Sequence, residues 1–508
     1  MQSLYGTFQP AWRPGGTFLR TADGRCWTYA DLDTQTARLS LRLQGAGLVP
    51  GNRLAAVVER SEWNVFLYLA CLRAGIVYVP LNPRLTPPEL GPVLADAAPG
   101  LVVCDPALEP TVRRLAGAAP VHTLDRAGGG TLAALPAARG APDATLPPGH
   151  PAAIIFTSGT SGRPKGVLMQ HALLAGKARA LAGAMDYSAA DRLLHTLPLY
   201  HAHGLFMMLH CVLSIGASLL LLPRFDAADV LRHLPQASVF SGVPTMYRRL
   251  LDEPGLRAAA AGVRLFISGS APLPREVFDA FDRQAGHRIV ECWGMSETMT
   301  NTANPLHGER RAGSAGKPLP GVELRVVDAA GELVAAGVPG VLEVGFATTD
   351  DAGSKLAGGS LFGSYWQRPA AEQPRVRDGR MVTGDIGVLD SDGYLRIVGR
   401  TSEVIISGGY NIYPREVEIA LEELPGIARA AAFAVPHPDY GEAVVAAIEP
   451  VAGAAVQPAE VLASLRSRLV GYKLPKALFV EQALPLTELG KVQRAVLAKA
   501  HAHHFDRI

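Results

Sequence analysis

The stretch AAIIFTSGTSGRPKG at residues 152–166 joins an apolar strand to a loop of small and polar residues. Its Ser, Thr and Gly residues let the backbone curl tightly and direct N–H groups and hydroxyls toward one point, and Lys165 adds a positive charge. Such a loop suits a polyphosphate, although the GxxxxGK[ST] pattern of a Walker loop is absent. A flexible polar loop without a ligand is the alternative, and this stretch alone leaves both open.

Outward from this loop, short apolar strands alternate with amphipathic helices. RLAAVVE at 53–59 is a predicted strand, and SEWNVFLYLACLRAG at 61–75 is a predicted helix that ends at Gly75. This alternation predicts an α/β fold of layered subdomains with largely parallel sheets. Further predicted strands are LVVCD (101–105), RLFISGS (264–270) and HRIVECWG (287–294).

The chain changes character after about residue 320. VELRVVDAAGEL, GVLEVG and GYLRIVGR have the pattern of short antiparallel strands with Gly turns, which predicts a β-rich subdomain. From residue 403 onward, a helix after Pro414, two strands and a further helix predict a small α+β domain. The predicted domains are therefore 1–402 and 403–508.

Composition narrows the class of protein. Of the 508 residues, 48% are hydrophobic and 19% are charged, and the net charge is only +2, so neither nucleic acid nor an anionic membrane is an expected partner. The most apolar stretch, 205–223, predicts a buried helix, a Gly turn and a strand rather than a membrane span. Five cysteines without metal-ligand spacing and an N-terminus without a signal-peptide pattern predict a cytoplasmic location.

Several further motifs occur in a fixed order along the chain. WGMSET lies at 293–298, TGD at 383–385, GRTSEVIISGGYNIYPREVE at 399–418 and LGKVQR at 489–494. Together with the loop at 157–166 they resemble the motifs of the adenylate-forming superfamily of acyl-CoA synthetases, luciferases and peptide-synthetase adenylation domains. The resemblance covers essentially the whole chain.

This resemblance implies the adenylate-forming fold, with a large N-terminal domain that binds ATP and the acyl group and a small mobile C-terminal domain. It also implies that ATP, Mg²⁺ and coenzyme A take part with a small carboxylate. The implied nucleotide-binding residues are Thr157, Ser158, Gly159, Thr160, Ser161, Gly162, Lys165, Gly269, Ser270, Ala271, Pro272, Trp293, Gly294, Met295, Ser296, Asp385 and Arg400.

Individual roles follow from the matched motifs. Trp293 stands where the family stacks an aromatic ring on adenine. Glu297, with Thr160, is implied as a ligand of Mg²⁺ on the ATP phosphates, because carboxylate and hydroxyl oxygens suit that cation. Asp385 resembles the carboxylate that accepts hydrogen bonds from the ribose hydroxyls, and Arg400 resembles its partner.

The C-terminal motifs carry the remaining roles. Lys491 resembles the catalytic lysine that stabilises charge during adenylation and then leaves when the small domain rotates. Glu403 occupies the position of the hinge residue, where the family normally has Asp or Lys. Gly408 and Gly409 resemble the loop that lines the pantetheine tunnel, where glycine permits close approach.

The acyl site is implied by PLYHAHGL at 198–205, which places His201 and His203 beside the substrate, His201 as a catalytic gate. The chain is most similar to the malonyl-CoA synthetase subgroup, in which an arginine binds the distal carboxylate. Arg310 and Arg311 match that position. Because the two arginines are adjacent, the sequence does not decide which of them binds the carboxylate. A solvated arginine pair is the alternative reading.

Other functions stay open at this point. A ligase for another short or medium carboxylic acid and an adenylation enzyme that loads a carrier protein are the alternatives, and the oligomeric state is not indicated. The segment FATTDDAGSKLAGGSLFGS, residues 346–364, is longer than the subgroup leads us to expect. A surface loop is the simplest interpretation of it.

Overall fold

The computed structural model describes residues 3–147, 149–157, 164–346, 362–407, 410–487 and 490–505. The chain divides into two compact units, one formed by Met1–Glu323 with Val344–Met381 and the other by Leu324–Glu343 with Val382–Ile508. The predicted α/β class, with a separate C-terminal domain, is confirmed. The predicted boundary between residues 402 and 403 stays a prediction.

A nine-stranded sheet forms the first layer of unit 1. Its central strands are parallel, and antiparallel strands extend it at both edges. The strands in spatial order are Lys317–Pro318, Met299–Ala303, Val290–Met295, Leu265–Ser268, Val239–Gly242, Arg192–His195, Ser218–Leu221, Thr17–Thr21 and Cys26–Thr28.

A seven-stranded sheet forms the second layer of the same unit. Four of its pairings are parallel, and the strands on either side of the phosphate loop are antiparallel to each other. The strands in spatial order are Ser364–Tyr365, Lys165–Gln170, Pro151–Thr157, Val77–Pro80, Arg53–Val57, Leu101–Cys104 and Val121–Thr123.

Helices cover these sheets. The helix Glu62–Ala74 illustrates why they form where they do: Ser61 caps its first turn by accepting from the Asn64 amide, and Gly75 ends it at φ +68°, a conformation that glycine adopts without strain. The predicted helix 61–75 is thereby confirmed. The helices of unit 1 are Leu4–Phe8, Tyr29–Gly45, Glu62–Ala74, Pro87–Ala97, Glu109–Leu115, His171–Ala184, Leu209–Ile215, Ala227–His233, Pro244–Leu251, Leu256–Ala260 and Arg275–Ala285, with a π-helical turn at His203–Met208.

The apolar stretch at 205–223 folds as the sequence predicts. The π-helical turn His203–Met208 continues into the helix Leu209–Ile215, Gly216 reverses the chain at φ +72°, and the strand Ser218–Leu221 follows. Among the residues that the structure describes, no helix has the length and apolar character needed to cross a membrane.

The β-rich part and the C-terminal part follow. A five-stranded sheet contains Val322–Val327, Gly340–Phe346, Arg380–Leu389 and Val376–Arg377 in that order, with Leu395–Arg400 antiparallel to Arg380–Leu389. The helix that the sequence predicts after Pro414 begins at Pro414 itself, and this helix, Pro414–Glu422, covers a second five-stranded sheet. Its strands are Tyr410–Ile412, Ile405–Ser407, Gly441–Pro450, Ile427–His437 and Ala477–Val480, and the helices of this part are Pro414–Glu422, Pro458–Leu465 and Arg494–His501.

Candidate active site

Three of the candidate segments of unit 1 lie at the carboxyl ends of strands in the nine-stranded sheet. Parallel strands present their carboxyl ends at the same edge, and loops at that edge are the usual place for ligand binding in α/β folds. His195, Gly242, Ser268 and Met295 are the last residues of four such strands. The segments 198–205, 269–272 and 293–298 therefore lie together, as their motifs predict.

The phosphate loop is held at both ends by strand pairing. Thr157 pairs with Lys165 in the antiparallel register, and the Thr157 hydroxyl donates to the Lys165 carbonyl at 3.3 Å. Five of the predicted nucleotide ligands lie between these ends and outside the described residues: Ser158, Gly159, Thr160, Ser161 and Gly162.

Glu297 and Lys165 meet at a tyrosine that the sequence analysis missed. The Tyr365 hydroxyl donates to Glu297 Oε1 at 2.7 Å, and Lys165 Nζ lies 5.0 Å from the centroid of the Tyr365 ring. The Gly363 amide also donates to the Glu297 carbonyl at 2.6 Å. The end of the phosphate loop and the acidic residue of the WGMSET motif thus form one cluster with a shared aromatic ring.

The WGMSET segment forms a tight hairpin. Trp293 lies partly buried on the strand Val290–Met295, which pairs with the strand Met299–Ala303. A Cβ atom at Gly294 would lie 2.0 Å from the Met299 carbonyl oxygen, so only glycine fits there. The hairpin holds the backbone beside Trp293 in one conformation, which suits an aromatic face offered to a planar base.

His203 connects the acyl motif to the adenine segment. Its Nδ1 is 3.0 Å from Ser270 Oγ, and its Nε2 is 3.0 Å from Ser241 Oγ. Ser270 has φ +70°, which is a strained backbone conformation for a residue with a side chain. The histidine therefore stabilises an uncommon turn in the Gly269–Pro272 segment, and Ser241 is a partner that no sequence motif indicated.

Burial, with a smaller contribution from the nearby His201, lowers the pKa of His203 to about 4. His203 is therefore neutral near pH 7, with one ring nitrogen donating and the other accepting. His201 is more exposed, and its ring lies 4.8 Å from that of Tyr200. Of the two histidines, His201 is the more accessible one, and its substrate role stays a prediction.

The two arginines differ in their partners. Arg310 donates to the carbonyl oxygens of Arg288 and Leu306, and burial together with Arg288 lowers its pKa. Arg311 pairs with Glu309 at 2.8 Å. Arg288 precedes the strand that leads to Trp293, and five residues of strand span about 16 Å. The Arg288 carbonyl that accepts from Arg310 is thus near the start of that strand, whereas Trp293 is toward its other end.

Lys177 is a basic side chain beside the WGMSET hairpin that the sequence analysis did not single out. It lies on the helix His171–Ala184, its Nζ donates to the Thr300 carbonyl at 3.3 Å, and it is 3.5 Å from the centroid of the Phe346 ring. Thr300 is opposite Gly294 in the hairpin register. A mid-helix lysine is usually solvated, so the sequence held no signal for this placement.

In unit 2, Asp385 and Arg400 form the pair that the motifs predict. They are opposite each other on antiparallel strands, and Arg400 Nε donates to Asp385 Oδ1 at 2.7 Å. Asp385 is buried, whereas the Arg400 side chain is 44% exposed. A carboxylate oxygen can accept more than one hydrogen bond, so a guanidinium and a hydroxyl group can share one carboxylate.

Lys491 lies at an exposed turn of unit 2. Its amide donates to Thr487 Oγ1 at 3.1 Å, and its carbonyl accepts from the Thr487 amide at 2.7 Å. Arg494, three residues after Lys491, donates from Nη1 to Glu403 at 3.1 Å, which ties the predicted hinge residue to the last helix. Gly408 and Gly409 lie outside the described residues.

The described residues also fit the implied Mg²⁺. They contain no cluster of three or more His, Cys, Asp or Glu side chains. Mg²⁺ on a nucleotide normally keeps several waters and uses one or two carboxylates plus phosphate oxygens, so a single carboxylate such as Glu297 suffices. Glu297 would hold the ion, which would neutralise phosphate charge.

Two family models match the chain. The model described as AMP-binding enzyme matches residues 9–348, and the model described as AMP-binding enzyme C-terminal domain matches residues 416–491. The first spans most of unit 1, and the second lies within unit 2.

Named relatives act on different acids. A feruloyl-CoA synthase of an Amycolatopsis species is 35% identical over 94% of this chain and 93% of its own length. A malonate–CoA ligase of Arabidopsis thaliana is 31% identical over 94% of this chain and 85% of its own length. ATP-bound MatB from Rhodopseudomonas palustris has a TM-score of 0.92 and 36% identity, covering 99% of this chain and all of that one.

Proposed function

The chain belongs to the AMP-binding enzyme family and is an AMP-forming acid–CoA ligase, and from this premise we propose that its acid is malonate, with methylmalonate as a tolerated analogue. The product would be malonyl-CoA. ATP and CoA are the other substrates of ligases of this type.

The reaction has two steps. A carboxylate oxygen of the acid attacks the α-phosphorus of ATP, which gives the acyl-adenylate and releases pyrophosphate. The thiol of CoA then attacks the acyl carbonyl, loses its proton and expels AMP. Lys491 is proposed to stabilise negative charge in the first step, and Glu297 to hold Mg²⁺ against the phosphates.

One observation carries the choice of a small polar acid. The strand Met299–Ala303, which is the second strand of the WGMSET hairpin, is buried at every position yet contains the polar residues Thr300, Asn301 and Thr302. Within the described parts of the chain, Thr300 Oγ1 and Asn301 Oδ1 have no hydrogen-bond partner. A buried polar atom left unpaired costs about 1–3 kcal/mol, which a polar ligand would recover. An aromatic or long-chain acid would favour an apolar wall instead.

The second carboxylate of malonate needs a cation, because a buried unpaired anion costs several kcal/mol. Of the two predicted arginines, Arg310 is the better candidate. It contacts two carbonyl oxygens and, among the described residues, forms no ion pair, whereas Arg311 is already bound to Glu309. Between the two arginines, Arg310 is therefore the one that an anion would contact, although it donates to the Arg288 carbonyl, near the opposite end of the strand from Trp293.

Acid-dependent pyrophosphate release tests the proposal. Malonate, methylmalonate, propionate and ferulate would be compared with and without CoA at saturating ATP. We expect the highest kcat/KM for malonate and a CoA-dependent thioester product. A preference for propionate or ferulate would favour a ligase for another acid. Adenylation without transfer to CoA would favour an enzyme that loads a carrier protein.

A further inference from the structure

Lys177 is a partly buried cation in an unusual environment. Its ammonium group donates to the Thr300 carbonyl at 3.3 Å and lies 3.5 Å from the centroid of the Phe346 ring. A carbonyl dipole and an aromatic face both stabilise a cation, but neither carries a compensating charge. Within the described ranges, Lys177 forms no ion pair with a carboxylate, and burial lowers its pKa to about 7.

The helix that carries Lys177 lies beside two of the candidate segments, the WGMSET hairpin and the turn that begins at His203. The helix His171–Ala184 packs against the strand Met299–Ala303 and against the π-helical turn that begins at His203. Thr300 lies opposite Gly294, the residue that follows Trp293, and paired strands are about 5 Å apart. Arg310, in contrast, donates to the carbonyl of Arg288, before the start of the strand that carries Trp293.

The strand that Lys177 contacts also contains buried polar atoms that form no hydrogen bond within the described residues. Thr300 Oγ1 and Asn301 Oδ1 are buried and unpaired within the described residues, on the strand that Lys177 contacts. Successive side chains of a strand point to opposite faces, so a ligand on one face would meet one of these two oxygens. An anionic group beside Lys177 would compensate the ammonium charge directly. Hydrocarbon in the same place would leave the ammonium uncompensated.

We propose that Lys177 is a specificity-determining residue whose ammonium group binds the distal anionic group of the acyl substrate, a carboxylate or a sulfonate, beside the strand Met299–Ala303. The proposal deepens the proposed function and rests on an acid that carries a second anion. It assigns to Lys177 the contact that the family resemblance implies for Arg310 or Arg311.

The test uses the full-length protein and three matched variants. Lys177→Met removes the charge and keeps the stem, and Arg310→Met does the same for the rival residue. Arg179→Met is the control, because Arg179 is an exposed cation on the same helix. For each protein, kcat/KM of pyrophosphate release would be measured with malonate, sulfoacetate and propionate.

We expect Lys177→Met to lose about 10²-fold with malonate and sulfoacetate, as when one partner of a buried ion pair is removed, and to change little with propionate. Lys177→Arg should restore part of the loss, and Arg179→Met should resemble the wild type. Equal losses of kcat/KM for all three acids would mean that Lys177 contributes only to the packing of its helix. A selective loss in Arg310→Met and none in Lys177→Met would overturn the proposal while the malonate function stands.

A second readout is independent of turnover. Acetylation of Lys177 by acetic anhydride would be followed by peptide mass spectrometry with a non-hydrolysable ATP analogue and each acid at saturation. We expect malonate and sulfoacetate to protect Lys177 and propionate to leave it reactive. If the wild type turns over only monocarboxylates, the malonate proposal fails. The acetylation experiment still shows whether a dianion binds at Lys177. If neither malonate nor sulfoacetate protects Lys177 from acetylation, the proposal that Lys177 binds an anionic group is wrong.

Discussion

The Tyr365 hydroxyl donates to the Glu297 carboxylate at 2.7 Å, which joins a residue outside every motif to the acidic residue of the WGMSET segment. Tyr365 lies on the strand Ser364–Tyr365, which pairs with the strand that follows the phosphate loop. The same ring faces Lys165. The tyrosine therefore contacts both Glu297 and the lysine at the end of the phosphate loop.

Tyr365→Phe is predicted to raise the KM for MgATP about tenfold, because a hydrogen bond to a charged group contributes about 1.5–3 kcal/mol. The ring and its contact with Lys165 remain, so the melting temperature should change little. Initial rates of pyrophosphate release against MgATP measure the effect. Tyr440→Phe, at an exposed tyrosine, is the control. An unchanged KM would mean that this hydrogen bond does not position Glu297 for the nucleotide.

Glu297→Gln is predicted to raise the Mg²⁺ requirement and to depress adenylation. The amide oxygen of glutamine can still accept the hydrogen bond from Tyr365, so this variant removes the charge and keeps the contact. A neutral amide is a weaker ligand for Mg²⁺ than a carboxylate. Mg²⁺ titrations of the first half-reaction measure the change. If both the Mg²⁺ dependence and the rate equal those of the wild type, Glu297 is only structural.

His203 is predicted to make the fold sensitive to acid. Its pKa in the folded protein, about 4, lies below its ordinary value of 6.5. The stabilisation is therefore fully present above pH 6.5 and is lost as the pH falls toward 4, by on the order of 3 kcal/mol. His203→Gln keeps a donor and an acceptor but does not titrate. Melting temperatures of the two proteins should diverge below pH 6.5, and parallel curves would contradict this.

Lys491→Ala is predicted to slow acyl-adenylate formation by about 10²-fold or more, as when a charge contact to the transition state is removed. Thioester formation from supplied acyl-adenylate should be affected far less, because the proposed role of Lys491 belongs to the first step. Single-turnover rates of each half-reaction, measured separately, test this. Equal losses in both steps would contradict the assignment.

Much of the fold follows from local pattern. The helix that ends at Gly75, the turn at Gly216 and the helix that begins at Pro414 were all predicted, because capping, glycine conformation and proline placement act over a few residues. The pairing of Asp385 with Arg400 was also predicted, since both lie in motifs that the family resemblance assigns.

The contacts that the sequence did not predict are made between distant segments. Tyr365 is 68 residues from Glu297, Ser241 is 38 residues from His203, and Lys177 is 123 residues from Thr300. No short motif spans such separations, and the type of each residue is common on a surface. Only the assembly of strands and helices in unit 1 brings these side chains together.

The central claim is that this AMP-forming ligase takes malonate, and product analysis tests it most directly. The wild-type protein would be incubated with ATP, Mg²⁺, CoA and equimolar malonate, propionate and ferulate, and the thioesters would be quantified by mass spectrometry. Malonyl-CoA formed in amounts equal to the AMP released is the predicted result. Propionyl-CoA or feruloyl-CoA as the main thioester, with little malonyl-CoA, would contradict the claim.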